Sequence, residues 1–157
     1  ANRIGVLING EILQTGDPRE VFTSPQSREV AEFVSVDNII DGIIVSSEEG
    51  IVAVDIGDNK IIEAISNYPV GEEVCACIRP ENITLTLSKT TSSARNSFIG
   101  QVTRVVSVGP LSRIEINCGF RLVSLVTKKS AEELNLEKGK QVYATFKATG
   151  VHVLRKN

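Results

Sequence analysis

Residues 38–65 read NIIDGIIVSSEEGIVAVDIGDNKIIEAI, and this stretch decides the fold. Its apolar residues fall into short β-branched runs, and the pairs Glu49-Gly50 and Asp58-Asn59 separate one run from the next. Short runs bounded by turn-forming residues are typical of consecutive strands in an all-β domain. The stretch therefore predicts three strands, at residues 39–45, 51–56 and 60–65.

The same pattern continues from this stretch to the end of the chain. A first set of strands is completed at residues 74–78 and 83–87. A second set follows at residues 98–106, 113–117, 121–127, 142–147 and 151–154. Between its third and fourth strands, the capping box from Ser130 to Glu133 predicts a short helix with Ser130 as its N-cap.

The two sets of strands are similar enough to predict an internal repeat. At an offset of 58, Asn38-Ile39-Ile40-Asp41-Gly42 matches Asn96-Ser97-Phe98-Ile99-Gly100. At an offset of 68, the residues Gly71, Val74 and Arg79 match Gly139, Val142 and Lys147. Five short strands per unit predict a mainly β chain of two consecutive OB-like barrels, closed or nearly closed, with the helix inserted in the second. We assign residues 35–90 to the first barrel and 91–157 to the second.

The first 34 residues predict a different kind of structure. Asn9-Gly10 between two apolar runs predicts a tight β-hairpin. Asp17-Pro18 and Ser24-Pro25 each place an N-cap residue before a proline at the first helical position, which predicts two short helices. A hairpin and two short helices bury too little apolar surface to fold alone. We therefore expect residues 1–34 to be the end of a larger domain.

Composition and charge exclude several classes of protein. Of 157 residues, 41% are hydrophobic and 23% charged, and no apolar run approaches the ~18 residues of a membrane span. Three cysteines without a secretory leader indicate a reduced, cytoplasmic chain. Few aromatic residues and a net charge of −2 argue against nucleic acid as a partner. Residues 1–90 carry six Lys or Arg and 15 Asp or Glu (−9), whereas residues 91–157 carry 11 and four (+7), so the halves face different partners.

Residue types that commonly carry catalysis or bind metals form no recognisable site. The chain has no Gly-x4-Gly-Lys-Ser/Thr motif, and its single histidine, His152, alternates with valines in a strand. Cys75 and Cys77 share one face of a strand without a second ligand pair, so we expect core or interface thiols. Cys118 precedes a predicted turn and has no evident partner. We expect no catalytic residue and no metal.

The second barrel carries a cluster of hydrogen-bond donors that suits an anion. Arg95 supplies a rigid fork of N–H groups, Lys147 a compact charge, and Ser93, Thr127 and Ser130 hydroxyls. A tetrahedral oxyanion has only acceptor oxygens and needs donors of this kind. Thr127 and Ser130 also open the predicted helix, whose free amides attract anions.

A purely structural interpretation of these residues stays open. Ser130 caps the predicted helix in any case, Lys128 and Lys129 can simply be solvated, and acids in the first helical turn, Glu132 and Glu133, would repel an anion. The first repeat has Asp37 where the second has Arg95, so an equivalent site in the first barrel is not expected.

At these residues the chain resembles a known family. Over residues 92–155, Ser93-Ala94-Arg95-Asn96, Val126-Thr127 and Phe146-Lys147-Ala148 resemble the molybdate-binding Mop or TOBE module. The head, with Gly16-Asp17-Pro18-Arg19-Glu20, resembles the end of an ABC transporter ATPase domain just after its switch histidine. Arg79-Pro80-Glu81 is similar to a segment common in the accessory domains of such ATPases.

The resemblance implies a cytoplasmic regulatory domain, peripheral to the membrane, in the ATP-binding subunit of a molybdate/tungstate importer. It implies that molybdate or tungstate binds between barrels and feeds back on transport, with Ser93, Ala94 and Arg95 from one module and Thr127, Ser130 and Lys147 from a facing one. The partners implied are a second copy, the parent ATPase domain and a membrane permease. ATP and magnesium would bind only in the ATPase domain, whose Walker and signature motifs this sequence lacks.

Two other functions stay open at this point. One is a structural or dimerising accessory domain of another importer ATPase, such as a sugar importer, without oxyanion binding. The other is the effector domain of a transcription factor, against which the ATPase-like head argues. The Ser-Ala-Arg-Asn motif favours oxyanion sensing, because a structural barrel has no need of converging donors.

Overall fold

The computed structural model describes the strand backbone of residues 4–8 and 11–16, and residues 38–89 and 96–156 in full. The described residues are mainly strand, as predicted, and contain one short α-helix. The elements are β1 Ile4–Ile8, β2 Glu11–Gly16, β3 Asn38–Glu48, β4 Ile51–Gly57, β5 Lys60–Ile65, β6 Glu73–Ile78, β7 Thr84–Thr86, β8 Asn96–Val108, β9 Leu111–Asn117, β10 Arg121–Thr127, α1 Lys128–Glu133, β11 Gln141–Phe146 and β12 Val151–Arg155.

Strands β1 and β2 form an antiparallel pair, which confirms the predicted hairpin. Ile8 pairs with Glu11, so Asn9-Gly10 is the connection between the two strands. The predicted helices at Asp17 and Ser24 lie outside the described residues. The assignment of residues 1–34 to the end of a larger domain stays a prediction.

Each of the two repeats builds a five-stranded sheet, but the two sheets exchange their last strands. The closed first barrel has the strand order β12-β5-β4-β3-β6, and the second sheet has the order β10-β9-β8-β11-β7. We assigned residues 83–87 to the first set and 151–154 to the second; instead β7 pairs with β11 and β12 pairs with β6. Alternating apolar residues predict a strand without saying which sheet edge it joins, which is why the exchange was missed. The sheets therefore do not follow the boundary at residue 90.

The second sheet is nearly closed by a side chain. Ser124 on β10 is fully buried, and its hydroxyl donates to the carbonyl oxygen of Ile83, just before β7, at 2.7 Å. β10 and β7 are the two edges of this sheet, so the hydroxyl bridges the seam between them.

Matching hydrogen bonds confirm the internal repeat. The Gly71 N–H donates to the Ile44 carbonyl at 2.8 Å, and the Gly139 N–H donates to the Val102 carbonyl at 2.7 Å. These two pairs are related by the predicted offsets of 68 and 58. The two barrels are therefore two copies of one backbone plan.

Glycine is required where the first strand of each repeat crosses its neighbour. A Cβ on Gly42 would lie 2.7 Å from the carbonyl oxygen of Asp55, and one on Gly100 would lie 2.7 Å from that of Asn117. Neither approach leaves room for a side chain. β3 and β8 therefore approach their hairpin partners closely at equivalent points.

Among the described residues, one large apolar core runs through both barrels. Phe146, the largest fully buried side chain, stacks on Phe98 with ring centroids 6.0 Å apart, and Phe98 meets Phe120 edge to face at 5.1 Å. Core residues of β4 and β5 belong to the same cluster as those of β9 and β11. Within the described part of the chain, no helix has the length and apolar character needed to cross a membrane.

Candidate functional site

Lys147 lies at the end of β11, beside the point where the chain enters β8. The last pair of the β8–β11 ladder joins Phe146 to Asn96, and Lys147 follows in extended conformation with an exposed side chain. Ser93, Ala94 and Arg95, which precede Asn96 in the sequence, lie outside the described residues. The register therefore brings Lys147 to the strand end at which the Ser-Ala-Arg segment arrives.

Asn96 fixes this strand end to the first barrel. Its side chain is buried, accepts a hydrogen bond from the Glu63 N–H at 2.8 Å and donates to the Glu63 carbonyl at 3.0 Å. The N–H and the carbonyl of Glu63 on β5 are thereby both paired. The strand end next to Lys147 consequently has a fixed position and direction.

Thr127 and Ser130 lie at the opposite end of β8. Thr127 pairs with Leu111 on β9, and Leu111 pairs with Val108, the last residue of β8. The 13 residues of β8 correspond to roughly 40 Å of strand contour. We grouped Lys147 with Thr127 and Ser130 from the sequence; the structure instead places Lys147 at the end where residues 93–95 arrive.

The inserted helix starts three residues earlier than the predicted N-cap at Ser130 implies. Thr127, not Ser130, is the N-cap of α1, and its hydroxyl oxygen accepts from the Ser130 N–H at 3.1 Å. The two hydroxyl oxygens are also within hydrogen-bond distance, at 3.0 Å. Because the helix begins at Lys128, its first turn carries no acidic residue, and the expected repulsion from Glu132 and Glu133 in that turn does not apply.

A row of hydroxyl side chains near Lys147 was not singled out from the sequence. Ser97 on β8 pairs with Thr145 on β11, and Thr145 pairs with Thr84 on β7. The row depends on the exchanged strand β7, so sequence spacing could not place Thr84 there. Only the alternation of Thr145 with Lys147 pointed to a shared face.

The cysteines are buried, as expected. Cys75 and Cys77 are 0% and 4% exposed and pack with Leu154 and Ile39 on the outer face of the first barrel. Burial raises the pKa of the Cys118 thiol to about 11, against a smaller opposing effect of the Lys60 charge. A thiol with that pKa is protonated and unreactive near neutral pH. Among residues 38–89 and 96–156, no cluster of three His, Cys, Asp or Glu could hold a metal ion.

Glu115 is at the centre of a positively charged group on the second sheet. Its carboxylate contacts the guanidinium groups of Arg121 at 3.1 Å, Arg113 at 3.2 Å and Arg104 at 3.6 Å. The hydrogen bond from Arg121 lowers the pKa of Glu115, and the charges of all three arginines add to this effect against partial burial. The group contributes part of the positive charge of residues 91–157.

Comparison with known proteins identifies the second half of the chain. Residues 92–153 match the model of the TOBE domain family. Over these residues the chain is similar to TOBE domains. The matched residues include Arg95, Thr127, Ser130 and Lys147.

Relatives that match nearly the whole chain include ATP-binding proteins of importers. The chain is 36% identical over 155 residues to the molybdate/tungstate import ATP-binding protein WtpC of Pyrococcus horikoshii, which covers 97% of this chain. It is 29% identical to the spermidine/putrescine import ATP-binding protein PotA of Clostridioides difficile over 99% of its length. The chain spans 42% of the first relative and 41% of the second, so it corresponds to less than half of each.

A solved structure shows the same fold. The cytoplasmic molybdate-binding protein ModG, in a crystal form with molybdate bound, superposes with a TM-score of 0.73. The two are 22% identical, and the match covers 78% of this chain and 98% of ModG. The likeness confirms the predicted pair of OB-like barrels.

Proposed function

We propose that this chain is the regulatory, oxyanion-binding part of the ATP-binding subunit of a molybdate/tungstate importer. The observation that carries the proposal is the position of Lys147 in the TOBE domain, at the strand end next to Asn96 where the Ser-Ala-Arg segment arrives. The identity to WtpC over nearly the whole chain supports the same function.

The chemistry of these residues suits molybdate or tungstate. Both are tetrahedral dianions whose four oxygens accept hydrogen bonds and donate none. Arg95 and Lys147 supply opposite charge, while the Ser93 hydroxyl and the Ala94 N–H add neutral donors. Asn96, whose side chain pairs with both the N–H and the carbonyl of Glu63, fixes the strand end beside Lys147.

A complete site on this proposal needs two copies of the chain. Ser93, Ala94, Arg95 and Lys147 come from one copy, whereas Thr127 and Ser130 lie at the far end of β8 and come from the other. Isologous pairing gives a homodimer with two equivalent sites. Binding then links the copies and couples oxyanion concentration to the assembly of the subunit.

The proposed setting is an importer at the cytoplasmic face of the membrane. The chain lies next to an ATPase domain, which binds ATP and magnesium and contacts a membrane permease; the chain itself hydrolyses no ATP. Bound oxyanion in this domain feeds back on transport, so that internal molybdate or tungstate limits its own uptake.

A second candidate function is a structural or dimerising accessory domain without oxyanion binding. The relation to PotA, whose name concerns spermidine and putrescine, supports this alternative because the segment also occurs in a subunit of another importer. The two functions differ in one measurable property, the affinity of the chain for oxyanions.

The test is an equilibrium titration of the purified chain with molybdate, tungstate and sulfate at fixed salt. The proposal expects tight binding of at least one of the first two, and at least about tenfold weaker binding by Arg95→Ala, which loses charge-assisted hydrogen bonds. Failure of the folded wild type to bind molybdate or tungstate would leave the accessory function as the better account.

A further inference from the structure

Three hydroxyl side chains form a row across the second sheet beside Lys147. Ser97, Thr145 and Thr84 are direct partners on β8, β11 and β7. Directly opposed residues in a sheet point to the same face. Thr145 and Lys147 are two positions apart in extended backbone, so Lys147 shares that face.

Ser97 has an unused hydroxyl group in this row. Its Oγ is enclosed and has no hydrogen-bond partner among the residues that the structure describes. Thr145, 7% exposed, already contacts the Thr84 carbonyl oxygen at 3.4 Å. An enclosed hydroxyl without a partner is unfavourable for folding, because it has lost its hydrogen bonds to water. The Ser97 hydroxyl therefore serves a purpose other than stabilising the fold.

The first barrel shows that the fold does not require these hydroxyls. At the matching offsets its row is Ile39, Cys77 and His152, again direct partners in the ladder. Ile39 and Cys77 belong to an apolar cluster. The same backbone position thus accepts apolar side chains, and the hydroxyl row is specific to the barrel that carries Lys147.

We propose that the Ser97 hydroxyl donates a hydrogen bond to the oxyanion bound beside Lys147, and that Ser97 is a ligand residue of this site. The inference rests on the proposed function. Ser97 lies directly opposite Thr145, on the face of the sheet that also carries Lys147. Shielded from water, the hydroxyl forms a stronger hydrogen bond to an anion than an exposed one would.

The experiment compares tungstate binding and thermal stability in the wild type and Ser97→Ala. Calorimetric titration of the full chain at fixed salt is expected to give a Kd about tenfold higher for Ser97→Ala. The Tm without ligand is expected to stay the same or rise, because the substitution removes an unpaired buried group.

Ser124→Ala is the matched control. Ser124 is a buried serine of the same sheet whose hydroxyl is paired with Ile83. Its loss is expected to lower the Tm and to leave the tungstate Kd unchanged, the opposite of the result for Ser97→Ala.

Two outcomes overturn the inference. If the wild type binds tungstate and Ser97→Ala binds it equally well, Ser97 is not a ligand residue and the proposed function stands. If the folded wild type binds neither tungstate nor molybdate, the proposed function fails and the role of Ser97 fails with it.

Discussion

Asn38 and Val123 are joined by two hydrogen bonds although they lie 85 positions apart in the sequence. The Asn38 side chain donates to the Val123 carbonyl at 2.8 Å and accepts from the Val123 N–H at 2.7 Å. Asn96, its counterpart in the repeat, pairs in the same way with Glu63. Each barrel thus uses an asparagine to satisfy a strand of the other, and the two barrels form one unit.

Loss of the two hydrogen bonds between Asn38 and Val123 should destabilise the whole chain. Asn38→Leu leaves the N–H and carbonyl of Val123 buried without partners, at a cost of about 1 to 3 kcal/mol each. We expect the free energy of unfolding in urea to fall by at least about 2 kcal/mol. The exposed Gln141→Ala is the control and should change it by less than about 0.5 kcal/mol. Equal stabilities of the two variants would contradict the stabilising role of the Asn38 side chain.

The arginine group around Glu115 predicts a pH dependence of stability. Because its pKa is lowered below 4.5 in the folded chain, Glu115 stabilises the fold at pH above 4.5, and this contribution is lost as the pH falls through the folded pKa. Since Arg104 and Arg121 are largely exposed, we expect Glu115→Gln to cost only about 1 kcal/mol at neutral pH.

Urea unfolding of the wild type and Glu115→Gln at pH 7 and pH 3 measures this effect. The difference between the two proteins should be smaller at pH 3 than at pH 7, because the stabilisation by Glu115 is lost as the pH falls through its lowered pKa. A difference that grows toward low pH would show that Glu115 acts in the opposite sense.

The geometry of the α1 cap allows the effect of Ser130 on tungstate binding to be measured separately from its effect on stability. Ser130 contributes its backbone N–H to the cap, so Ser130→Ala should keep the Tm nearly unchanged and weaken tungstate binding. Thr127→Ala removes the capping oxygen and should cost about 1 kcal/mol of stability in addition to affinity. Thermal unfolding beside calorimetric titration checks both; full tungstate affinity in Ser130→Ala would exclude its hydroxyl from the site.

If the site is divided between two copies of the chain, two variants that each bind tungstate weakly should complement each other in a mixed dimer. Lys147→Ala and Ser130→Ala each damage both sites of a homodimer, but a mixed dimer keeps one site with both residues intact. Unfolding and refolding an equal mixture should therefore restore tight binding at about one quarter of the wild-type capacity. Sedimentation checks that dimers form. A mixture that binds no better than either variant alone would place all these residues in one copy.

Local patterns in the sequence predicted the strands, the repeat and the hairpin, because each depends on residues close together in the chain. The exchange of β7 and β12 was missed because the edge that a strand joins depends on distant residues. For the same reason, the sequence did not predict the row of hydroxyl side chains that contains Ser97 and Thr84. The cap was misplaced by three residues because Thr127 and Ser130 both suit an N-cap, and only the helix start at Lys128 distinguishes them.

The most direct test of oxyanion binding uses the equivalence of Lys147 and Arg79. Each residue follows a strand, and its carbonyl oxygen accepts a hydrogen bond that closes a short turn. The Gly150 N–H donates to the Lys147 carbonyl at 2.9 Å, and the Asn82 N–H donates to the Arg79 carbonyl at 3.0 Å. The account predicts that Lys147→Ala raises the calorimetric Kd for tungstate by at least about tenfold, while Arg79→Ala stays within about twofold of the wild type. Equal affinities for all three proteins would contradict it.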